Sequence, residues 1–201
     1  GAVHDVDYHQ LPVTIVAVGG GLSYGNLGYS HHAVQDYALL RVMPYMLIAA
    51  PGDPMEVRAC VRYLMAHPQP SYLRLGKAGE PSVHASVPQI EPGRWLELAE
   101  GDGPSTLLTT GAPLALASSW LERAEYRGWA LHSLPLWGMA QKAAQAAQAE
   151  SWRRIVTLED HVVDAGFGSW LAESCLHLRD RTAIEIRGLS REIFGKVGSQ
   201  R

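Results

Sequence analysis

Several short stretches of the chain carry residue types that could do chemistry. Gly19-Gly-Gly-Leu-Ser-Tyr-Gly25 follows an apolar run, and glycine at such a place lets backbone amides approach an anion closely. The spacing is not G-x-G-x-x-G, and no acidic residue ends the next apolar run. The residues therefore favour a glycine-rich active-site or turn loop over a nucleotide cradle. His31 and His32 stand at a predicted helix start, where the helix N-terminus lowers an imidazole's proton affinity and leaves a neutral donor near physiological pH. A capped surface or core histidine is an equal alternative for His31 and the favoured one for His32. Arg74 lies between apolar neighbours on a predicted strand, where a permanently charged guanidinium needs a carboxylate or a phosphate. An internal ion pair and a bound phosphate satisfy it equally. Glu159 and His161, at a strand's end, suit acid/base work by position, with a structural hydrogen bond or subunit contact the favoured reading. No Ser or Cys stands in a nucleophile-elbow pattern and no His, Cys and carboxylate cluster has zinc spacing. Cys60 and Cys175 read as small buried hydrophobes.

The elements that must position these residues alternate. Val13-Thr-Ile-Val-Ala-Val18, a β-branched run after Pro12 and before three glycines, suits a strand buried on both faces and so a parallel sheet. Ser30 is placed to cap a helix with Val34, Tyr37 and Ala38 on its apolar face, ending before Pro44. Met46–Ala50 is a second strand-like run. Asp53, Pro54 and Glu56 then form a capping box with proline at the first helical position, ahead of a stripe of Val57, Cys60, Val61, Leu64 and Met65. Tyr72–Leu75 is a third strand. After a stretch rich in Gly and Pro the pattern resumes, with strands at 106–110, 129–134, 155–158 and 182–186. Between them lie helical patterns opened by Pro113, running over 139–149, and carrying Leu171, Ala172, Cys175 and Leu178. The predicted fold is α/β: two three-layer β/α units with mainly parallel sheets, over residues 1–78 and 94–201, joined by a linker at 79–93.

Composition narrows the function classes. With 47% hydrophobic and 18% charged residues over 201 positions, the chain is neither disordered nor fibrous. Seventeen basic against twenty acidic side chains give a net charge of -3, which offers no footprint for a nucleic-acid backbone. The apolar runs are broken well short of the ~20 residues a membrane helix needs, and Gly1–Gln10 lacks a signal pattern, so the sequence predicts a cytoplasmic protein without nucleic-acid or membrane partners.

Longer strings resemble a known family. Leu11-Pro-Val-Thr-Ile-Val-Ala-Val-Gly-Gly-Gly-Leu-Ser-Tyr-Gly-Asn-Leu-Gly28 with Ser30-His-His-Ala-Val-Gln-Asp36 is similar to the middle of transketolase-like enzymes. So are Ala50-Pro-Gly-Asp-Pro-Met-Glu-Val-Arg58 and Pro70-Ser-Tyr-Leu-Arg-Leu-Gly-Lys77. Ile155-Val-Thr-Leu-Glu-Asp-His161 and Ala165-Gly-Phe-Gly-Ser-Trp-Leu-Ala-Glu173 resemble that family's C-terminal domain. Together these strings cover nearly the whole chain in the family's order.

The resemblance implies thiamine diphosphate chemistry with Mg2+ in the complete enzyme, in which a two-carbon ketol unit passes between sugar phosphates or related substrates. It implies that residues 1–78 are the second half of a pyrimidine-binding domain and 94–201 most of the C-terminal one. It makes His31 a catalytic and substrate-facing donor and Arg74 the grip on a sugar phosphate. The family's activating glutamate lies upstream of the first strand and its metal site needs an Asn downstream of Gly-Asp-Gly. Gly101-Asp102-Gly103 copies the letters, but the chain's one Asn, Asn26, precedes them. The resemblance thus predicts a chain inactive alone, needing the missing N-terminal domains or a companion subunit, in a homodimer or heterotetramer. Gly19 or its neighbour stands where typical transketolases carry a histidine, and Leu27 where they carry an acidic residue, which points to the split or synthase-like branches. The ending Val197-Gly-Ser-Gln-Arg201 is predicted to stop short of the family's last segment, and half a pyrimidine domain to leave a hydrophobic sheet edge bare. A beta-subunit-like component of a keto-acid dehydrogenase, and a non-catalytic dimerisation or ligand-binding module, remain the alternatives.

Overall fold

A computed structural model of the chain describes residues 1–198; the end of the sequence-predicted second unit at 199–201 lies outside the described residues. The chain runs α1 (Ala2–Tyr8), β1 (Thr14–Val18), α2 (Asp36–Leu40), β2 (Leu47–Ala49), α3 (Pro54–Ala66) and β3 (Ser71–Leu75). It continues with β4 (Leu96–Ala99), β5 (Ser105–Thr109), α4 (Leu114–Trp120), β6 (Ala130–Ser133), β7 (Leu136–Trp137), α5 (Gln145–Ala149), β8 (Arg154–Val162), α6 (Phe167–Ser174) and β9 (Ala183–Leu189). The first sheet has the order β1-β3-β2-β7 and the second β4-β6-β5-β8-β9. Every pairing is parallel except β2 with β7 and β4 with β6. The predicted mainly parallel α/β architecture is therefore the observed one.

Local chemistry explains the best-formed element. Asp53 Oδ1 accepts the Glu56 N–H at 2.8 Å and Pro54 fills the first turn of α3. Glu56 reaches back to the Gly52 N–H at 2.6 Å, one residue earlier than a standard capping box. The buried face of α3 is Glu56, Ala59, Cys60 and Leu64, while Val61 and Met65 of the predicted stripe point to solvent. The stripe is turned because the buried Glu56 must face the linker, where its Oε1 meets His84 Nε2 at 2.8 Å.

Elsewhere long-range pairing overrides local signals. The helix predicted from Ser30 does not form there. Gly21 and Ala33 exchange backbone hydrogen bonds of 2.9 and 3.1 Å, which holds Ala33 extended, and α2 starts only at Asp36. Two 3-10 turns, at Gly25–Leu27 and Tyr29–His31, fill the interval. The predicted helix at 139–149 is 3-10 over Met139–Ala144 and α-helical only in α5. α1, β4 and β7 had no counterpart in the sequence reading.

The two sheets share one core. Tyr37, Ile48 and Tyr72 around the first sheet belong to the same apolar cluster as Leu108, Trp137, Phe167 and Trp170. β7 makes the junction physical: a strand from the later half of the chain completes the earlier sheet, Ile48 facing Trp137. At the opposite edge β1 has one neighbour, and Val16 and Val18 expose 56% and 63% of their surface. Both cysteines are free and buried.

Candidate active site

Arg74 is the centre of the junction. The register Ala17↔Arg74 sets it on β3 between β1 and β2, and only 4% of it is exposed. Nε donates to Asp36 Oδ2 at 2.8 Å, Nη1 to Tyr37 Oη at 3.1 Å and to Asp160 Oδ1, and Nη2 to the Ala33 carbonyl at 2.7 Å. The Tyr37 ring lies 4.4 Å below the guanidinium carbon. Burial opposes the charge, and Asp160, Tyr37 and Asp36 overcome it, holding the guanidinium protonated well above its ordinary range. Tyr72 donates to Asp36 at 2.8 Å, and burial with the Asp36 charge raises the pKa of its phenol. Arg74 thus spends its donors on protein acceptors.

This cluster explains the glycine run. A Cβ on Gly20 would stand 2.8 Å from Arg74 Cγ and Nε, and one on Gly21 would overlap the Asp160 carboxylate. Gly21 also has φ +63, which an L side chain rarely adopts. The glycines let the loop close over an internal ion pair rather than over an anion.

The second unit supplies the other half of the clamp. Glu159 accepts the Phe167 and Gly168 N–H groups at the head of α6, at 2.6 and 2.9 Å. Burial pushes its carboxyl up to about 8, against those two amides. The Ala38 N–H donates to His161 Nε2 at 3.3 Å, and His161 Nδ1 donates to the Val162 carbonyl at 2.6 Å. That tautomer is neutral, and burial lowers its pKa. The ring stacks on Tyr37, centroids 5.0 Å apart. Arg41 binds the Gly166 carbonyl at 3.0 Å, Ser169 Oγ at 2.8 Å and Glu173. Residues 33–41 are therefore bolted to 159–173, and Glu159 and His161 work as structural hydrogen-bond partners.

His31 ends the exposed turn Tyr29–His31, its Nδ1 3.0 Å from Ser30 Oγ. His32 Nε2 lies 3.4 Å from the Gly25 carbonyl. His31 and Arg74 share no hydrogen bond: His31 is at the surface and Arg74 inside the joint. The open space beside the loop is a cleft of about 730 Å³ lined by Ser23, Asn26, Lys77 and Glu80, with Ala112 opposite. Sequence reasoning passed over Lys77, an exposed amine just beyond the C-terminal end of β3, the end where ligands gather in open parallel sheets. Burial raises the pKa of the Glu80 carboxyl there. Asp160, the partner of Arg74, was visible only as a letter in a motif.

The cleft has room and polar groups for one flank of a cofactor-sized ligand. No group of three or more metal-ligating side chains occurs among the described residues. Gly101–Gly103 forms a turn in which the Gly103 N–H meets the Gly128 carbonyl at 2.9 Å.

Comparison with known proteins agrees with this fold. Residues 1–79 match the transketolase pyrimidine-binding domain. One of the subunits of an apulose-4-phosphate transketolase from Phocaeicola vulgatus is 29% identical over 206 residues, 96% of this chain and 65% of the relative. A 1-deoxy-D-xylulose-5-phosphate synthase from Anaeromyxobacter dehalogenans is 31% identical over 196 residues, 93% of this chain but 29% of the relative. The chain therefore spans less than two thirds of either. A split-gene transketolase, described as an inactive beta4 tetramer, superposes with a TM-score of 0.75 at 29% identity, covering 94% of this chain and 60% of that one. The transketolase of Leishmania mexicana, at 19% identity, shares the fold with a TM-score of 0.71 over 94% of this chain and 27% of its own. The chain is transketolase-like, with residues 1–79 similar to the transketolase pyrimidine-binding domain.

Proposed function

We propose that this chain is part of a cytoplasmic, thiamine diphosphate-dependent transferase of carbohydrate metabolism, which moves a two-carbon ketol unit between sugar phosphates or related substrates. A companion subunit or further domains supply the metal-diphosphate side. The bound cofactor supplies the nucleophilic carbon that takes up the two-carbon unit. The chain's own residues bind and orient. Lys77, with Asn26, offers a phosphate a cation and an amide donor in the 730 Å³ cleft. His31, exposed on the same loop, donates a proton or hydrogen bond to substrate oxygens. Arg74, read from the resemblance as the phosphate grip, here contributes by fixing the loop that carries Ser23, Asn26 and His31.

The observation that carries this reading is the Arg74–Asp36–Asp160 joint, which anchors that loop beside a cleft at the strand ends. The test is ketol transfer from a ketose phosphate to an aldose by the assembled enzyme. Lys77→Ala is expected to raise the substrate KM by roughly tenfold, the worth of one charge-assisted contact. Unchanged kinetics would remove Lys77 from the site. Decarboxylation of a keto acid, with no ketol transfer, would select the dehydrogenase reading instead.

A further inference from the structure

The second sheet carries a cleft that the transferase reading leaves unused. From β5 the chain passes through α4 to β6 on one side, then returns past β5 to β8 and through α6 to β9 on the other. The connections diverge at the β5/β8 boundary, and at such a switch point the carboxyl ends of parallel strands splay into a ligand crevice. A cleft of about 380 Å³ stands there, lined by Leu158 and Asp160 of β8, Arg187 and Leu189 of β9, and Leu116 and Trp120 of α4. Volumes of about 300–1,000 Å³ are typical of small-molecule sites.

Its chemistry is one-sided. Leu116 keeps 50% of its surface exposed beside the buried Leu158. Trp120 is fixed by stacking on Tyr126 at 5.4 Å. Of the acidic groups that line it, Asp160 is paired with Arg74 through Oδ1 while its buried Oδ2 has no partner among the described residues, and Glu159 accepts the amides of α6. Arg187 Nε binds Glu185 at 2.8 Å and its Nη1 the Tyr126 hydroxyl at 2.8 Å, while Nη2 has no partner among the described residues. Arg154 takes the same Glu185 at 2.6 Å, so two guanidiniums share one carboxylate.

We infer that this cleft binds a flat aromatic carboxylate, its ring on Leu116, Leu158 and Trp120 and its anionic group on Arg187. A ring of that kind covers the apolar floor, and a carboxylate meets a guanidinium already aimed by two partners.

The test needs no transferase activity and stands apart from that reading. Indole-3-acetate is titrated into the protein and followed by heteronuclear NMR, with uncharged indole and with acetate as the comparison probes. The expected result is saturable shifts at the Trp120 indole N–H, Leu116 and Arg187, with acetate giving none. Arg187→Gln should weaken indole-3-acetate by about tenfold and leave indole unchanged, the worth of one charged contact. Leu116→Gln, on an exposed position that cannot unfold the helix, should weaken both. Shifts scattered over the surface, equal binding by R187Q, or concentration-dependent shifts at Leu116 without ligand, meaning a second copy covers it, would each overturn the inference.

Discussion

Two arginines sit near the carboxyl ends of parallel strands, and they have opposite fates. Arg74 on β3 is 4% exposed, meets two carboxylates and a carbonyl, and has a loop of glycines closed over it. Arg187 on β9 is part-exposed, shares its one carboxylate with Arg154, and opens onto a cleft. The residue type is identical, but β3 is interior to its sheet and β9 is an edge strand. What also differs is how many acceptors the tertiary fold delivers. A guanidinium surrounded by acceptors is structure, and one left partly unpaired is available to a ligand.

The comparison breaks most visibly if Arg74 is removed. Arg74→Ala leaves Asp36 and Asp160 part-buried without their cation, and breaking such a pair typically costs about 3–5 kcal/mol. Urea unfolding of this variant should show a loss of that size, and Arg74→Lys should recover part of it, keeping the charge but not the fork. Full stability in R74A would mean that the joint does not hold the two sheets together.

That joint also marks the limit of what could be read from sequence. The head of α3 was legible because Asp53, Pro54 and Glu56 act on each other within one turn. The parallel strands were legible as apolar runs between Gly and Pro. The reading at Ser30 failed because the bond that matters, Gly21 to Ala33, joins two loop positions with no periodic signal. β7 is two residues long, too short to announce itself. For Arg74 the residue type showed that an anion was needed, but its partner Asp160 lies 86 positions away and only the fold joins them. Lys77 ends one of the family-like strings, and its value depends on a cleft that no local pattern reveals.

Adjacent carboxyls on β8 sharpen the contrast at a smaller energy. Asp160 has a guanidinium; Glu159 has only two amides, and burial pushes its carboxyl up to about 8. A folded value raised above the unfolded one, ordinarily ~4.3, gives stability that is complete below that value and is lost as pH rises through about 8. Stability measured by denaturant from pH 5 to 9 should therefore fall with rising pH, and Glu159→Gln, whatever its absolute stability, should lose this slope. An unchanged slope in E159Q would assign the titration to another group, with His84 beside Glu56, also raised and of the same sign, the next to test.

The smallest effect is the most discriminating. Arg187→Ala removes a guanidinium whose contacts, Glu185 and the Tyr126 hydroxyl, lie at a half-open surface where water replaces them. Exposed ion pairs contribute about 0.2–1 kcal/mol, and Arg154 remains to neutralise Glu185. Denaturant unfolding of R187A should thus differ little from the parent, although the same side chain governs the cleft's charge. A loss as large as that at Arg74 would place Arg187 inside a closed joint of its own. Residue burial would then no longer separate the arginine that builds the fold from the one that is free to serve it.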